Sequence, residues 1–343
     1  PMALACVNIA MPYINFIFGL SILCSSGATA IISMFLGRGD TAKAKNAFMT
    51  NLAFLLGMSL LISFFSRFFT GALADVLGAG PSLKDGVADY LRIISCFAPF
   101  FTITYFFEMM SRADGRPRLA TASVALAGIT NVALDYVFVL KFGWGIRGAA
   151  WATGIAQVLP AATLFAYFWH RPRHISFAKF KFDAACVLRG LKLGVGDSVT
   201  EFSVGAAIFL FNHRIQEMIG ASGVAGYTVI AYVATLVAMT MCGVSQGMLP
   251  LSSYSHGRDD APSVARIRSL ALKTAVACGV AWFAISEIFA PHIVSAFISA
   301  ESAQAIHADT VRAFRIFAAS FAFTGVNIVL ATFFLRWKCR LMG

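Results

Sequence analysis

Charge is what this sequence has least of. Only 13% of its 343 residues are Asp, Glu, Lys or Arg, where an ordinary soluble domain carries about 25%. With 59% apolar residues and a mean hydropathy of +0.76, the chain could not cover itself in water, and it is too apolar to be disordered. Acids are scarcest of all, 16 against 27 Lys and Arg. The seven cysteines are scattered through apolar runs with no CxxC pair, which excludes a disulfide framework or thiolate metal site. P-loop, GxSxG, HExxH and GxGxxG patterns are missing, so no built-in ATPase, hydrolase or dinucleotide chemistry is expected. No enzyme activity and no bound cofactor are expected either.

What is present is a series of apolar runs about twenty residues long. A lipid-spanning chain must satisfy its own backbone hydrogen bonds, as helices or as a closed barrel. Barrel strands alternate in segments of roughly ten, so these runs predict helices. Nine spans are expected, at about 8–36, 46–66, 90–110, 119–140, 148–169, 190–212, 224–253, 270–290 and 312–335. Alternate connections sum to +14 and +1, with Glu108, Asp135, Asp197 and Glu201 in or near spans. Lys and Arg thus keep to one side, the cytoplasmic side of a cell membrane. A nucleic-acid footprint would not alternate with the spans.

The chain also repeats itself. Gly27, Ser33, Gly37, Arg38 and Asp40 recur as Gly247, Ser253, Gly257, Arg258 and Asp260, at a constant offset of 220. Arg92-Ile93 recurs as Arg315-Ile316 at an offset of 223. Six spans separate the copies, so both insert in the same direction, as in a parallel repeat. The expected organisation is an N-lobe over 1–169, a basic cytoplasmic linker over 170–189 and a C-lobe over 190–343. The linker, with Phe177, Lys179, Phe180, Lys181 and Phe182, is expected at the lipid surface.

Polar side chains within spans are the candidate site. Asp135 lies one turn from Asn131 on the same helical face. The pair is either a cation site for Na⁺ or H⁺ or a protonated Asp tied to Asn131. Thr153 and Gln157 share a face of the next span; Thr153 supplies either a third oxygen or a helix-to-helix hydrogen bond. Glu201 and Asp197 sit one turn apart and repel if both are ionised, so Glu201, the deeper, is a second ion-coupling candidate. Glu108 is expected to pair with Arg112. Gln246 precedes Pro250 where loosened backbone could line a cavity, and Met239 and Met241 offer an adaptable apolar wall. Small residues across 25–33 permit close helix approach.

Taken together, Gly27–Asp40, Arg112-Ala113-Asp114-Gly115, Asn131 with Asp135, the run Phe142–Ala150 with Ala152-Thr153, Thr200-Glu201 and Ser245–Pro250 resemble the multidrug and toxic compound extrusion (MATE) family. The resemblance covers nearly the whole chain. It implies an all-α polytopic membrane protein of two pseudo-symmetric lobes, with nine of twelve helices in this sequence and a longer parent chain on either side. It implies a cation-coupled antiporter, driven by H⁺ or Na⁺, exporting amphipathic and often cationic small molecules through a cleft between lobes. It also implies a monomer in the lipid bilayer. It places a cation site on Asn131, Asp135 and Thr153, with an Asp on a preceding helix that is not among these residues, and an acid on Glu201. Asp197, Gln157, Gln246, Asn327, Met239 and Met241 are the candidate cleft residues. A flippase for lipid-linked saccharides is the alternative, and it would want a cationic cavity where this chain carries acids. A receptor or scaffold is a third class, without support from the duplicated halves.

Overall fold

A computed structural model of the chain describes residues 2–81, 83–170, 172–219, 221–297 and 304–337, and every regular element among them is helical. The chain divides into two compact units, Pro1–Ser198 and Val199–Gly343.

The first unit contains α1 (Met2–Gly37), α2 (Thr41–Phe68), the short α3 (Thr70–Val76), α4 (Lys84–Cys96), α5 (Ala98–Ala113), α6 (Pro117–Asp135) and α7 (Gly145–His170), followed by the beginning of α8 (Ala184–Met218). The α6 helix runs on through a π-helical turn, Tyr136–Lys141. The second unit takes the rest of α8, then α9 (Ala221–Gly257), α10 (Ala261–Ser295), α11 (Gln304–Ala318) and α12 (Phe321–Trp337). At 1.5 Å per residue the 36-residue α1 is about 54 Å long, well beyond the ~30 Å hydrocarbon core.

All nine expected spans fall inside these helices. Among the described residues six helices are long and apolar enough to cross a membrane, or eight counting two bent pairs as single spans. The third and ninth expected spans are those bent pairs, α4 with α5 at 48° and α11 with α12 at 41°.

Position within the first unit differs sharply between helices. In the most apolar stretch of α1, 72% is buried, against 6% for the α6 span. The α1 helix is therefore the axis of the unit, and α6 turns Val124, Ile129, Val132 and Leu140 to the bilayer. The small residues of α1 serve its approach to α8. A Cβ added to Gly27 would run into the carbonyl of Gly190, and one on Gly194 into the carbonyl of Leu23. Ser198 Oγ donates to Gly19 O at 3.2 Å in the same seam.

The linker docks on the first unit. Phe177 stacks into a ring cluster, 5.8 Å from Phe48, which itself meets Phe106 at 5.6 Å and Phe168 at 5.3 Å. Lys181 N–H donates to Asn46 Oδ1 at 2.9 Å and its carbonyl accepts from Asn46 Nδ2 at 3.0 Å. The buried Asp114 carboxylate, at the end of α5, accepts from Tyr167 Oη at 2.6 Å and from the backbone N–H groups of Arg173, His174 and Ile175 at 2.9, 2.7 and 2.9 Å. Lys179, Phe180, Lys181 and Phe182 stay exposed beside this dock.

The sequence repeat is also a repeat of backbone hydrogen bonds. At the α1–α2 turn Gly39 N–H donates to Leu36 O, and Asp40 N–H to Phe35 O. At the α9–α10 turn Asp259 N–H donates to His256 O and Asp260 N–H to Ser255 O, the same pattern 220 residues on. Asp40 and Asp260 both cap the following helix, accepting from Lys43 N and Ser263 N at 3.0 Å each. The positive-φ position is Gly39 (φ 77°) in one copy and Asp259 (φ 55°) in the other. The two bends match as well. Phe97 N–H donates to Ile94 O at 3.0 Å and Ser320 N–H to Phe317 O at 2.9 Å, an offset of 223.

Candidate functional site

The antiparallel packing of α6 on α7 brings the N-lobe candidates together. Asn131 Nδ2 donates to Thr153 Oγ1 at 3.4 Å, linking the two helices across the expected site. Asp135 follows one turn after Asn131 and is the last residue of the regular α-helix before the π turn. Such π turns recur at functional sites because the wider turn re-aims side chains. One Asp135 carboxylate oxygen, Oδ1, is buried without a hydrogen-bond partner among the described residues. A buried carboxylate oxygen left in that state is costly in an apolar surrounding.

A fourth polar group joins these three. The hydroxyl of Tyr90, on α4, lies beside Thr153 and within electrostatic reach of Asp135. Tyr90 is 2% exposed and arrives through the packing of α4 against α7. The sequence does not single it out, since a tyrosine in an apolar run reads as packing. One carboxylate, one amide and two hydroxyls make an all-oxygen and amide set, suited to a proton or a hard monovalent cation. Among the described residues no group of three or more His, Cys, Asp or Glu could hold a metal.

Gln157 is half-buried one turn beyond Thr153, and its carbonyl accepts from Thr104 Oγ1 at 3.0 Å, which braces α5 against α7. Asp197 is half-buried in the part of α8 that belongs to the first unit. Glu201 lies one turn further along α8, but its side chain falls outside the described residues. Glu108 is buried on α5. Arg112, its expected partner, lies within electrostatic reach of it and also donates to Met109 Sδ at 3.1 Å.

In the second unit the cleft candidates disperse. Gln246 is half-buried on α9 and Asn327 is exposed on α12. Met239 is 66% exposed while Met241 is fully buried in the core of the unit. The single wall expected from the two methionines does not form, because residues two apart point to nearly opposite sides of a helix. Met241 instead packs so closely on Gly325 that a Cβ there would lie 2.6 Å from its sulfur.

Long apolar helices in a duplicated frame define a polytopic membrane protein, and a carboxylate within one span has an oxygen without a hydrogen-bond partner among the described residues. The comparisons with known proteins agree. The MatE family model matches residues 1–137 and 198–336, and the chain belongs to this family of multi-pass membrane transporters. A multidrug export protein MepA from Staphylococcus aureus (strain bovine RF122 / ET3-1) is 22% identical over 332 residues, covering 94% of this chain and 72% of the relative. Its counterpart in Staphylococcus saprophyticus is 22% identical over 262 residues, 75% of this chain and 57% of the relative. A crystal structure of MATE in complex with MaL6 superposes with a TM-score of 0.92 at 22% identity, covering 98% of this chain and 75% of that one. The outward-facing conformation of a multidrug resistance MATE family transporter of the MOP superfamily gives 0.86 at 21% identity, covering 98% and 77%.

Proposed function

We propose that the chain forms most of a cation-coupled antiporter that exports amphipathic, often cationic compounds, with Asp135 as the group that loads and releases the coupling ion. The observation that carries this reading is the buried Asp135 oxygen without a partner among the described residues, set one turn from Asn131, which donates to Thr153, and within electrostatic reach of Tyr90. A carboxyl in that setting binds a proton or Na⁺ more favourably than it stays bare. Relatives named as multidrug export proteins support the substrate class. Glu201 is the second coupling candidate by its place on α8. The flippase alternative gains nothing from this site, since an acid at mid-span repels a pyrophosphate.

The test is uptake of a lipophilic cationic dye into everted membrane vesicles holding the full-length parent, with proton and Na⁺ gradients imposed one at a time. Asp135→Asn is expected to abolish gradient-driven transport while leaving dye binding to the purified protein intact. Asp135→Glu is expected to retain part of it. Unchanged coupled transport by Asp135→Asn rejects the assignment, and the gradient that drives the unaltered protein identifies the ion.

A further inference from the structure

The turn between α9 and α10 lies on the basic, cytoplasmic side, so the far end of α10 and the start of α11 reach the outer surface of the bilayer. There an open, shallow cavity of about 630 Å³ is lined by Pro291, Val311 and Ile316 together with His307, Arg312 and Arg315. No carboxylate is among the described residues lining it. His307 Nε2 lies 2.9 Å from Ser295 Oγ. Arg315 is steadied from behind by Glu287, its Nε 3.6 Å from Oε2 and its Nη2 donating to the Glu287 carbonyl at 3.4 Å. Ile316, next in the chain, is 70% exposed.

The duplicated half shows what is unusual here. At the offset of 223, Arg315 corresponds to Arg92 and Arg312 to Asp89. In the first unit Asp89 lies 3.9 Å from Arg92 and 2.6 Å from Arg147, so one carboxylate is shared by both arginines of that corner. In the second unit the acid's place on the helix is taken by a second arginine, one turn from the first on the same face, and the carboxylate of Glu287, on α10, reaches Arg315. Two guanidinium groups at i,i+3 repel. They also stand on the membrane face where Lys and Arg are otherwise scarce. An arginine pair matches the oxygens of a phosphate, and the apolar rim matches an acyl chain beside it.

We propose that this cavity holds the phosphate headgroup of an anionic phospholipid from the outer leaflet, with Arg312 and Arg315 on the phosphate and Val311 and Ile316 against the chain. The inference stands apart from the coupling site, and its failure would leave the transport reading untouched. The test is thermal stabilisation of the detergent-purified, full-length protein by dioctanoyl phosphatidylglycerol, with dioctanoyl phosphatidylcholine and inorganic phosphate as separate arms. Phosphatidylglycerol is expected to act at a concentration about tenfold lower than phosphatidylcholine. Arg312→Gln is expected to remove that preference, Arg312→Lys to keep most of it, and Lys141→Gln, at another outer connection, to leave it intact. Equal effects of the two lipids, or a preference that survives Arg312→Gln, would overturn the proposal. Equal stabilisation by inorganic phosphate would assign the cavity to a soluble anion and overturn the lipid source.

Discussion

Replacing Asp114 should release the linker from the first unit. Its carboxylate is the common acceptor for three consecutive backbone amides and the Tyr167 hydroxyl. Arg173 and His174 are exposed, so water can take over their amides. The Ile175 amide is buried and the Tyr167 hydroxyl half-buried, and these two donors lose most. At about 1.5–3 kcal/mol for each hydrogen bond to a charged group, loss of these two should weaken the dock by about 3–6 kcal/mol in Asp114→Ala. Asp114→Asn keeps one acceptor oxygen but points an NH₂ at N–H donors, and should cost about half as much. The assay is limited tryptic digestion in detergent, read at Arg173, Lys179 and Lys181. Since each 1.4 kcal/mol is a factor of ten in the open population, Asp114→Ala should raise the cleavage rate by about a hundredfold or more. Cleavage at the unaltered rate, with the rest of the fold intact, would mean that the ring cluster around Phe177 holds the linker and the carboxylate does not.

Asp259→Gly should stabilise the protein by about 0.5–1 kcal/mol, because it relieves a side chain at φ 55°, while the reciprocal Gly39→Asp should destabilise it; thermal unfolding of both variants checks the pair. Stability should also fall in acid through the two capping aspartates. Hydrogen bonds from Lys43, aided by its charge, hold the Asp40 carboxyl below its usual 3.8, and those from Ser263, with Arg258 nearby, do the same for Asp260. A carboxyl depressed on folding contributes its full stability above the unfolded value and loses it as pH falls through the folded one. The double variant Asp40→Asn, Asp260→Asn still caps both helices, so it should match the unaltered melting temperature near neutral pH and show a shallower decline below pH about 4.

Helix positions were legible because each span is a continuous apolar run, and the positive-inside alternation needs only charges counted between runs. The bend at Ser320 was not, since Ala318, Ala319 and Ser320 carry no Pro or Gly to mark it. The Asn131–Asp135 pair could be read from its spacing, because four residues bring side chains onto one face of any helix. Thr153 was open between a third oxygen and a helix-to-helix hydrogen bond, and the α6–α7 packing places it against Asn131. Tyr90 could not be read, because it stands 45 residues before Asp135 and reaches the site only through the packing of α4 on α7. Asp114 shows in the sequence only as one acid in a basic connection and as part of Arg112-Ala113-Asp114-Gly115. Its burial depends on main-chain amides some 60 residues later, and amides leave no trace in side-chain pattern.

The paired turns and paired bends were built from different side chains on one hydrogen-bonding frame. Glycine in one copy is aspartate in the other, and a phenylalanine hinge answers to a serine hinge, yet the donors and acceptors keep their spacing. The offset grows from 220 to 223 only between these features, in the stretch that follows each capped turn. Divergence after duplication has therefore been free to recolour surfaces and lengthen a connection, while the joints of the skeleton stayed where the ancestral half put them.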